Sequence, residues 1–345
     1  MEQPAWVVMK FGGTSVASVD RWTTIKAQAE ARLEDGERPV VVCSAISGVS
    51  DAIEDILSGC ASGHPEQALS ALRAKHQVLA DALGVDLDRE IGEDLQEIED
   101  QVRGASLIRE VTPRLHARLM AMGERMSTRL GAAFLRQSGV KVTWVDAREH
   151  LRASEAPNTP QARAMLSAEC DFLPDPELRV AFSRCEGVII TQGFIARNAA
   201  GETVLLGRGG SDTSAAYFAA KLQAKRCEIW TDVPGMFTAD PRQVPNARVL
   251  RALDYNEAQE IATMGAKVLH PRAIPPCRAG QIPINIRCTP KPDLEGTIIS
   301  AEGAGDGAGV KAISARRGVM LVSMETVGMW QTVGFLADAF AVFKS

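Results

Sequence analysis

Trp6-Val7-Val8-Met9-Lys10-Phe11-Gly12-Gly13-Thr14-Ser15 is a short apolar run that ends in a lysine and two glycines. The run reads as a strand over 6–10, and the glycines read as the turn at its tip. A helix is predicted next, over 19–33, with Trp22, Ile25, Ala29 and Leu33 at helical spacing. Pro39-Val40-Val41-Val42-Cys43 then reads as a buried strand that empties into Ser44-Ala45-Ile46-Ser47-Gly48. Strand, turn, helix, strand is the rhythm of a parallel α/β sheet.

Working outward, the rhythm lapses over about 50–137, where charged amphipathic helices punctuated by Gly104 and Pro113 predict a helical insertion. It returns with a strand at 141–145. Residues 187–207 read as a hairpin, with strands 187–195 and 203–206 around the turn Arg197-Asn198-Ala199-Ala200-Gly201. A helix over 211–222, a strand over 227–231 and a Pro- and Asp-rich loop over 232–245 follow. Helices are expected near 254–263 and 270–279, then a strand at 282–287. The Gly- and Ala-rich stretch 300–309 reads as a linker. Beyond it a strand over 318–324 and a helix over 329–343 are predicted, the helix with Val333, Leu336, Phe340 and Phe343 on one side. No repeat of 20–50 residues is visible.

The chain has 345 residues, which at about 100–200 residues per domain suggests two domains or one with a remainder. Apolar residues make up 46% and charged residues 23%, ordinary for a globular protein. The 38 basic and 43 acidic residues leave a formal charge of -5, which argues against nucleic acid or an anionic membrane as partner. No apolar run approaches a membrane span, and the start lacks the pattern of a secretory signal. Seven scattered cysteines without a C-x-x-C, and five histidines without a ligand spacing, give no support for a disulfide framework or a protein-ligated metal. A cytoplasmic protein is expected.

Four stretches carry chemistry. In Lys10–Ser15 the glycines would let backbone N–H groups close on phosphate oxygens, the following helix would add positive potential, and Lys10 would supply a point charge. A tight turn with a solvated lysine would look the same, and the segment is not a Walker A loop. Gly207-Arg208-Gly209-Gly210-Ser211-Asp212-Thr213 is a second anion-binding turn between strand and helix, with Ser211 or Asp212 placed to cap the helix. Thr231-Asp232 through Phe237, Asp240 and Arg242 follows a strand end, where an open α/β sheet binds its ligands. Gly265-Ala266-Lys267-Val268-Leu269-His270-Pro271 offers Lys267 as a second phosphate ligand, while His270 reads as a helix-entry residue rather than a base. Two glycine turns, two lysines and an aspartate suggest phosphoryl transfer. No convincing base accompanies them, which fits a carboxylate acceptor, already ionised near neutral pH.

These four motifs, in this order, resemble those of the aspartokinases of the amino acid kinase superfamily. The resemblance covers about 6–300 and implies a three-layer αβα sandwich with a mainly parallel central sheet, the carbamate-kinase-like fold, over domain 1–300. It implies that MgATP and L-aspartate give 4-phospho-L-aspartate and ADP, on the route to lysine, threonine and methionine. By the same resemblance Lys10 neutralises the transferring group, Gly12 and Gly13 donate N–H bonds, and Asp212 organises the lysines. Arg208 would clamp the α-carboxylate and Glu124 the α-ammonium. Ser44 and Ser50 would line the amino acid pocket, and Thr231, Asp232, Phe237, Asp240, Arg242 and Lys267 would hold ATP. Many relatives carry Tyr where Phe237 stands, and some Thr where Ser50 stands. After a linker at 301–310, segment 311–345 resembles the opening of an ACT regulatory domain, with 310–315 as its entry strand. Half of such a unit cannot bury its sheet face alone, so the chain is expected to be the front of a longer polypeptide. A fused diaminopimelate decarboxylase fits that expectation better than a homoserine dehydrogenase. Homodimers and feedback by lysine or threonine are implied for the complete form. A kinase for glutamate or N-acetylglutamate, and a non-catalytic amino acid sensor, are the alternatives.

Overall fold

Two seven-residue strands, β1 (Ala5–Phe11) and β2 (Glu37–Cys43), lie side by side in parallel, with Ala5 opposite Glu37 and Phe11 opposite Cys43. Helix α1 (Val19–Glu34) joins them and buries Trp22, Ile25 and Ala29, three of the four positions whose spacing marked it. The computed structural model describes residues 5–62, 64–155, 159–265, 268–303, 309–315, 318–323 and 334–342. It divides into two units, Met1–Ser314 and Ala315–Ser345.

The insertion is four helices: α2 (Val49–Ser62), α3 (Glu66–Leu83), α4 (Leu87–Ile108) and α5 (Pro113–Gln137). Gly104 does not interrupt α4. That helix stops at Arg109, whose φ of 53° is left-handed. Thr112 caps α5 through its hydroxyl, and Pro113 takes the first turn, where a missing N–H does no harm. Then come β3 (Val142–Val145), α6 (Gln161–Leu166), α7 (Pro176–Ser183) and β4 (Val188–Gln192).

The expected hairpin proves to be two structures. β4 enters the main sheet between β2 and β3, and only β5 (Ile195–Arg197) pairs with β6 (Thr203–Leu205). The break falls at Phe194, with φ 67°. A continuous apolar run concealed it, because a buried parallel strand and a hairpin arm have the same composition.

Helix α8 (Gly210–Leu222) leads into β7 (Arg226–Thr231), and β8 (Ala252–Asp254), α9 (Tyr255–Thr263), α10 (Ile274–Ala279), β9 (Ile284–Cys288) and β10 (Thr297–Ser300) complete the unit. The described residues form an eight-stranded sheet of order β3-β4-β2-β1-β7-β9-β10-β8. Six strands are parallel, and β10 runs antiparallel to β9, with β8 parallel to β10. The chain winds one way from β1 to β2 and the other way from α8 to β7. Right-handed crossovers therefore put α1 and α5 on one face and α8 on the other. The reversal leaves a crevice at the carboxyl ends of β1, β2 and β7. The two short strands β8 and β10 went unread in the sequence.

No helix among the described residues is long and apolar enough to cross a membrane. In the second unit, 318–323 has no regular strand, and Leu321 is 91% exposed. The helix expected over 329–343 is described as α11 (Phe335–Ala341). Part of the expected linker and of that helix lies outside the described residues.

Candidate active site

Lys10 sits one residue from the end of β1, so its side chain reaches past the sheet edge. Its Nζ is 2.7 Å from Asp212 Oδ1, and both side chains are only 12% exposed. Asp212 lies in the first turn of α8, but neither it nor Ser211 caps that helix. The cap position belongs to Gly209, left-handed at φ 69°. The carboxylate is thus left to Lys10 on one oxygen, and its other oxygen accepts the backbone N–H of His270 at 3.0 Å. The first N–H groups of α8 have no intrahelical partners and carry the positive end of the helix dipole to the same place.

At position 13 glycine is a steric requirement. A Cβ there would lie 2.8 Å from the Ala45 carbonyl oxygen, because the 44–48 loop closes on this turn with the Ser47 N–H donating to Gly13 O at 3.1 Å. Gly12 is less constrained: a Cβ would lie 3.4 Å from Lys10 Nζ. The Gly12 N–H already points to Trp230 O at 3.4 Å, bridging β1 to β7. Ser15 Oγ and Thr289 Oγ1, 2.7 Å apart and buried, tie this turn to the end of β9.

A cavity of about 790 Å³ opens in front of the ion pair. Lys10, Gly13, Ser44, Ser50, Glu124, Arg208 and Asp212 all line it, although they come from four separate stretches of sequence. Arg208 is exposed at its rim. Glu124 is in the body of α5. It is 3% exposed, and its Oε2 has no hydrogen-bond partner. Burial pushes its carboxyl up to about 8, with backbone N–H groups, Ala45's first, pulling the other way. A buried carboxyl with an unused oxygen facing a cavity is suited to an ammonium group, which would restore its charge.

The predicted nucleotide residues stand elsewhere. Thr231 ends β7, next to β1, and its hydroxyl donates to Asp232 Oδ1 at 3.2 Å. Phe237 bridges to Val249, and Asp240 accepts the Arg242 N–H at 3.0 Å and the Gln243 amide at 3.1 Å. Those two bonds hold the Asp240 carboxyl below its ordinary value. The loop is anchored by buried Thr297, whose hydroxyl meets the Met236 N–H at 2.9 Å and Leu250 O at 2.6 Å. Gly12, Thr231, Asp232, Phe237, Asp240 and Arg242 do not line the cavity. Lys267 lies outside the described residues.

His270 opens the short turn Pro271–Ala273, its Nδ1 accepting the Arg272 N–H at 3.3 Å, a helix-entry role as expected. Its backbone contact with Asp212 was not legible in the sequence. Also unread were Asp51, Glu54 and His116, all on the cavity wall, with His116 Nε2 2.9 Å from Glu54 Oε1. A signal existed: His116, Met120 and Glu124 recur every four residues, one face of one helix.

Comparison with known proteins agrees with this geometry. The model of the amino acid kinase family matches residues 5–288. Lysine-sensitive aspartokinase 3 of Escherichia coli (strain K12) is 34% identical over 339 residues, 97% of this chain and 73% of that protein. Chloroplastic aspartokinase 1 of Arabidopsis thaliana is 31% identical over 98% of this chain, which spans 59% of that relative's length. The crystal structure of E. coli aspartokinase III with aspartate and ADP superposes with a TM-score of 0.73 at 34% identity, over 86% of this chain and 64% of that one. The same enzyme with lysine and aspartate gives 0.72 at 30% identity, over 98% of this chain and 74% of that one. The chain belongs to the amino acid kinase family and, within it, to the aspartokinases.

Proposed function

We propose that this chain transfers the γ-phosphoryl group of MgATP to the β-carboxylate of L-aspartate, giving 4-phospho-L-aspartate and ADP. The observation that carries the proposal is the buried Lys10–Asp212 pair, placed at the N-terminus of α8 on the wall of a cavity that Glu124 and Arg208 share. Glu124 takes the substrate ammonium, and Arg208 pairs with its α-carboxylate through a planar fork. The β-carboxylate is ionised and attacks without a base. A carboxylate oxygen bonds to the γ-phosphorus while the bond to the β–γ bridging oxygen breaks, and its electron pair leaves with ADP. Lys10 and the N–H groups of α8 offset the charge on the transferring oxygens. Asp212, 2.7 Å from the Lys10 Nζ, keeps that side chain aimed. Magnesium arrives with the nucleotide, whose ribose and base belong with Thr231, Asp232, Phe237, Asp240 and Arg242, and whose phosphates belong with Lys10, Gly12, Gly13 and Lys267.

Glu124 favours a free amino acid over an N-acetylated one, whose amide nitrogen carries no charge. E. coli aspartokinase III has been crystallised with lysine as well as aspartate. We assign segment 311–345 to the start of an ACT-type regulatory region, with lysine or threonine as effector and a homodimer as its complete form. A coupled ADP assay with aspartate, glutamate and N-acetylglutamate tests the reading. Aspartate should be turned over fastest, trapping with hydroxylamine should give the aspartyl hydroxamate, and Lys10→Ala should abolish both signals. Turnover of N-acetylglutamate but not aspartate, or lysine binding without ATP binding, would overturn it.

A further inference from the structure

The turn that carries Arg208 and Asp212 is built from an awkward backbone. Gly207 and Gly209 both take left-handed φ, 70° and 69°. Such a turn needs outside contacts to hold one shape, and one short segment, 270–272, supplies three of them. The His270 N–H donates to Asp212 Oδ2. The His270 ring lies so close over Gly209 that a Cβ there would be 2.0 Å from the ring's Cγ. Arg272 sends one guanidinium N–H to Leu206 O, immediately before the turn, at 2.5 Å, and another to Ala168 O at 3.0 Å. Ala168 in turn donates its N–H to Leu205 O at 2.8 Å. The guanidinium therefore clasps the end of β6 to its neighbour. The Arg272 backbone N–H, bonded to His270 Nδ1 at 3.3 Å, also orients the ring that presses on Gly209.

We propose that Arg272 is a positioning residue for phosphoryl transfer: it fixes the Gly207–Asp212 turn, and so sets where Asp212 meets Lys10 and where Arg208 meets the amino acid. The inference rests on the kinase reading above. Arg272 is absent from the cavity lining and has no reason to touch substrate. Its fork reaches the two carbonyls from two separate nitrogens held in one plane, a geometry that a lysine's single ammonium nitrogen does not reproduce. A displacement of about 1 Å in reacting groups lowers rate about 100-fold, so a slackened turn should register in kinetics well before it registers in folding.

The test compares wild type, Arg272→Met, Arg272→Lys and Arg272→Ala in the full chain, with aspartate and MgATP varied separately and thermal melting followed in parallel. Arg272→Met should lower kcat/KM for aspartate about 100-fold, through both kcat and KM, with the KM for ATP unchanged. Arg272→Lys should fall between, and free guanidinium at millimolar concentration should restore part of the lost rate in Arg272→Ala. A merely structural arginine would instead lower the folded fraction, scale all parameters together and ignore guanidinium. That result, or wild-type kinetics in Arg272→Met, would overturn the proposal while leaving the kinase reading intact. An inactive wild type would overturn both. If Arg272→Met fails to fold, the aspartate-against-ATP split in Arg272→Lys decides.

Discussion

Glu124 is a carboxyl held in its uncharged form by its surroundings. It is almost fully buried, and burial lifts its pKa to about 8. An amino acid ammonium binds the carboxylate, not the acid. In the kinase reading, kcat/KM for aspartate should rise with pH about tenfold per unit below 8 and level off above it. Glu124→Gln should flatten that limb and lower the plateau about 10- to 100-fold, the worth of one charged hydrogen bond. A wild-type profile flat from pH 6 to 9 would remove Glu124 from the ammonium site. The linkage has a definite sign. The folded carboxyl holds its proton more tightly than the unfolded one, at 4.5, so its contribution to stability falls as pH rises from about 4.5 to about 8. Lys10 and Asp212 differ in having each other as partners. Their contact spans 202 positions of sequence, and although each motif marked its own residue, nothing local said that the two would touch.

At the scale of elements, α5 explains how Glu124 comes to be buried. Most of its 25 residues are enclosed, from Ala117 to Leu135, because it packs on α1, on the sheet and on the other insertion helices. Its close approach to α1 depends on Gly131, where a Cβ would lie 1.8 Å from Trp22 Cη2. Trp22 cannot easily yield, since its indole N–H is bonded to Val16 O at 3.0 Å. Alanine is worth about 1 kcal/mol more than glycine in an exposed helix, yet Gly131→Ala should destabilise the protein by about 1–3 kcal/mol, as overpacking does. Urea denaturation measures this, and a stabilised variant would mean that the two helices are not packed as described. The helical character of 50–137 was legible from periodicity. The burial of α5 was not, because its enclosed positions include Gly123, Glu124, Ser127, Thr128 and Gly131, residue types that a reading by hydrophobicity assigns to the surface.

At the scale of the molecule, the sheet has two unlike ends. The carboxyl ends of β1 and β2 carry the cavity, and the amino ends carry a network of ions. Glu37, first in β2, meets Arg226, first in β7, at 2.7 Å and Lys225 at 2.8 Å. Arg226 also reaches Glu228 at 2.7 Å, which accepts Arg32 at 3.0 Å and the Trp230 indole at 3.0 Å. The apolar runs of β1, β2 and β7 were readable, but charges inside strands otherwise apolar gave no sign of partners nearly 200 positions away. Burial alone would raise the Glu37 carboxyl, and Arg226 and Lys225 outweigh it, holding it down at about 2. A depressed acid stabilises the fold above its unfolded value, about 4.5, and loses that contribution as pH falls toward 2. Glu37 is 5% exposed, so Glu37→Gln leaves Arg226 short of one buried partner and should cost about 3 kcal/mol at neutral pH. The gap between variant and wild type should shrink as urea melts are repeated from pH 4.5 down to 2. Because the network stands at the far end of the strands, kcat/KM of the folded variant should match wild type. A kinetic defect without a stability defect would show that the two ends are coupled through the sheet, and would end the division of labour argued here.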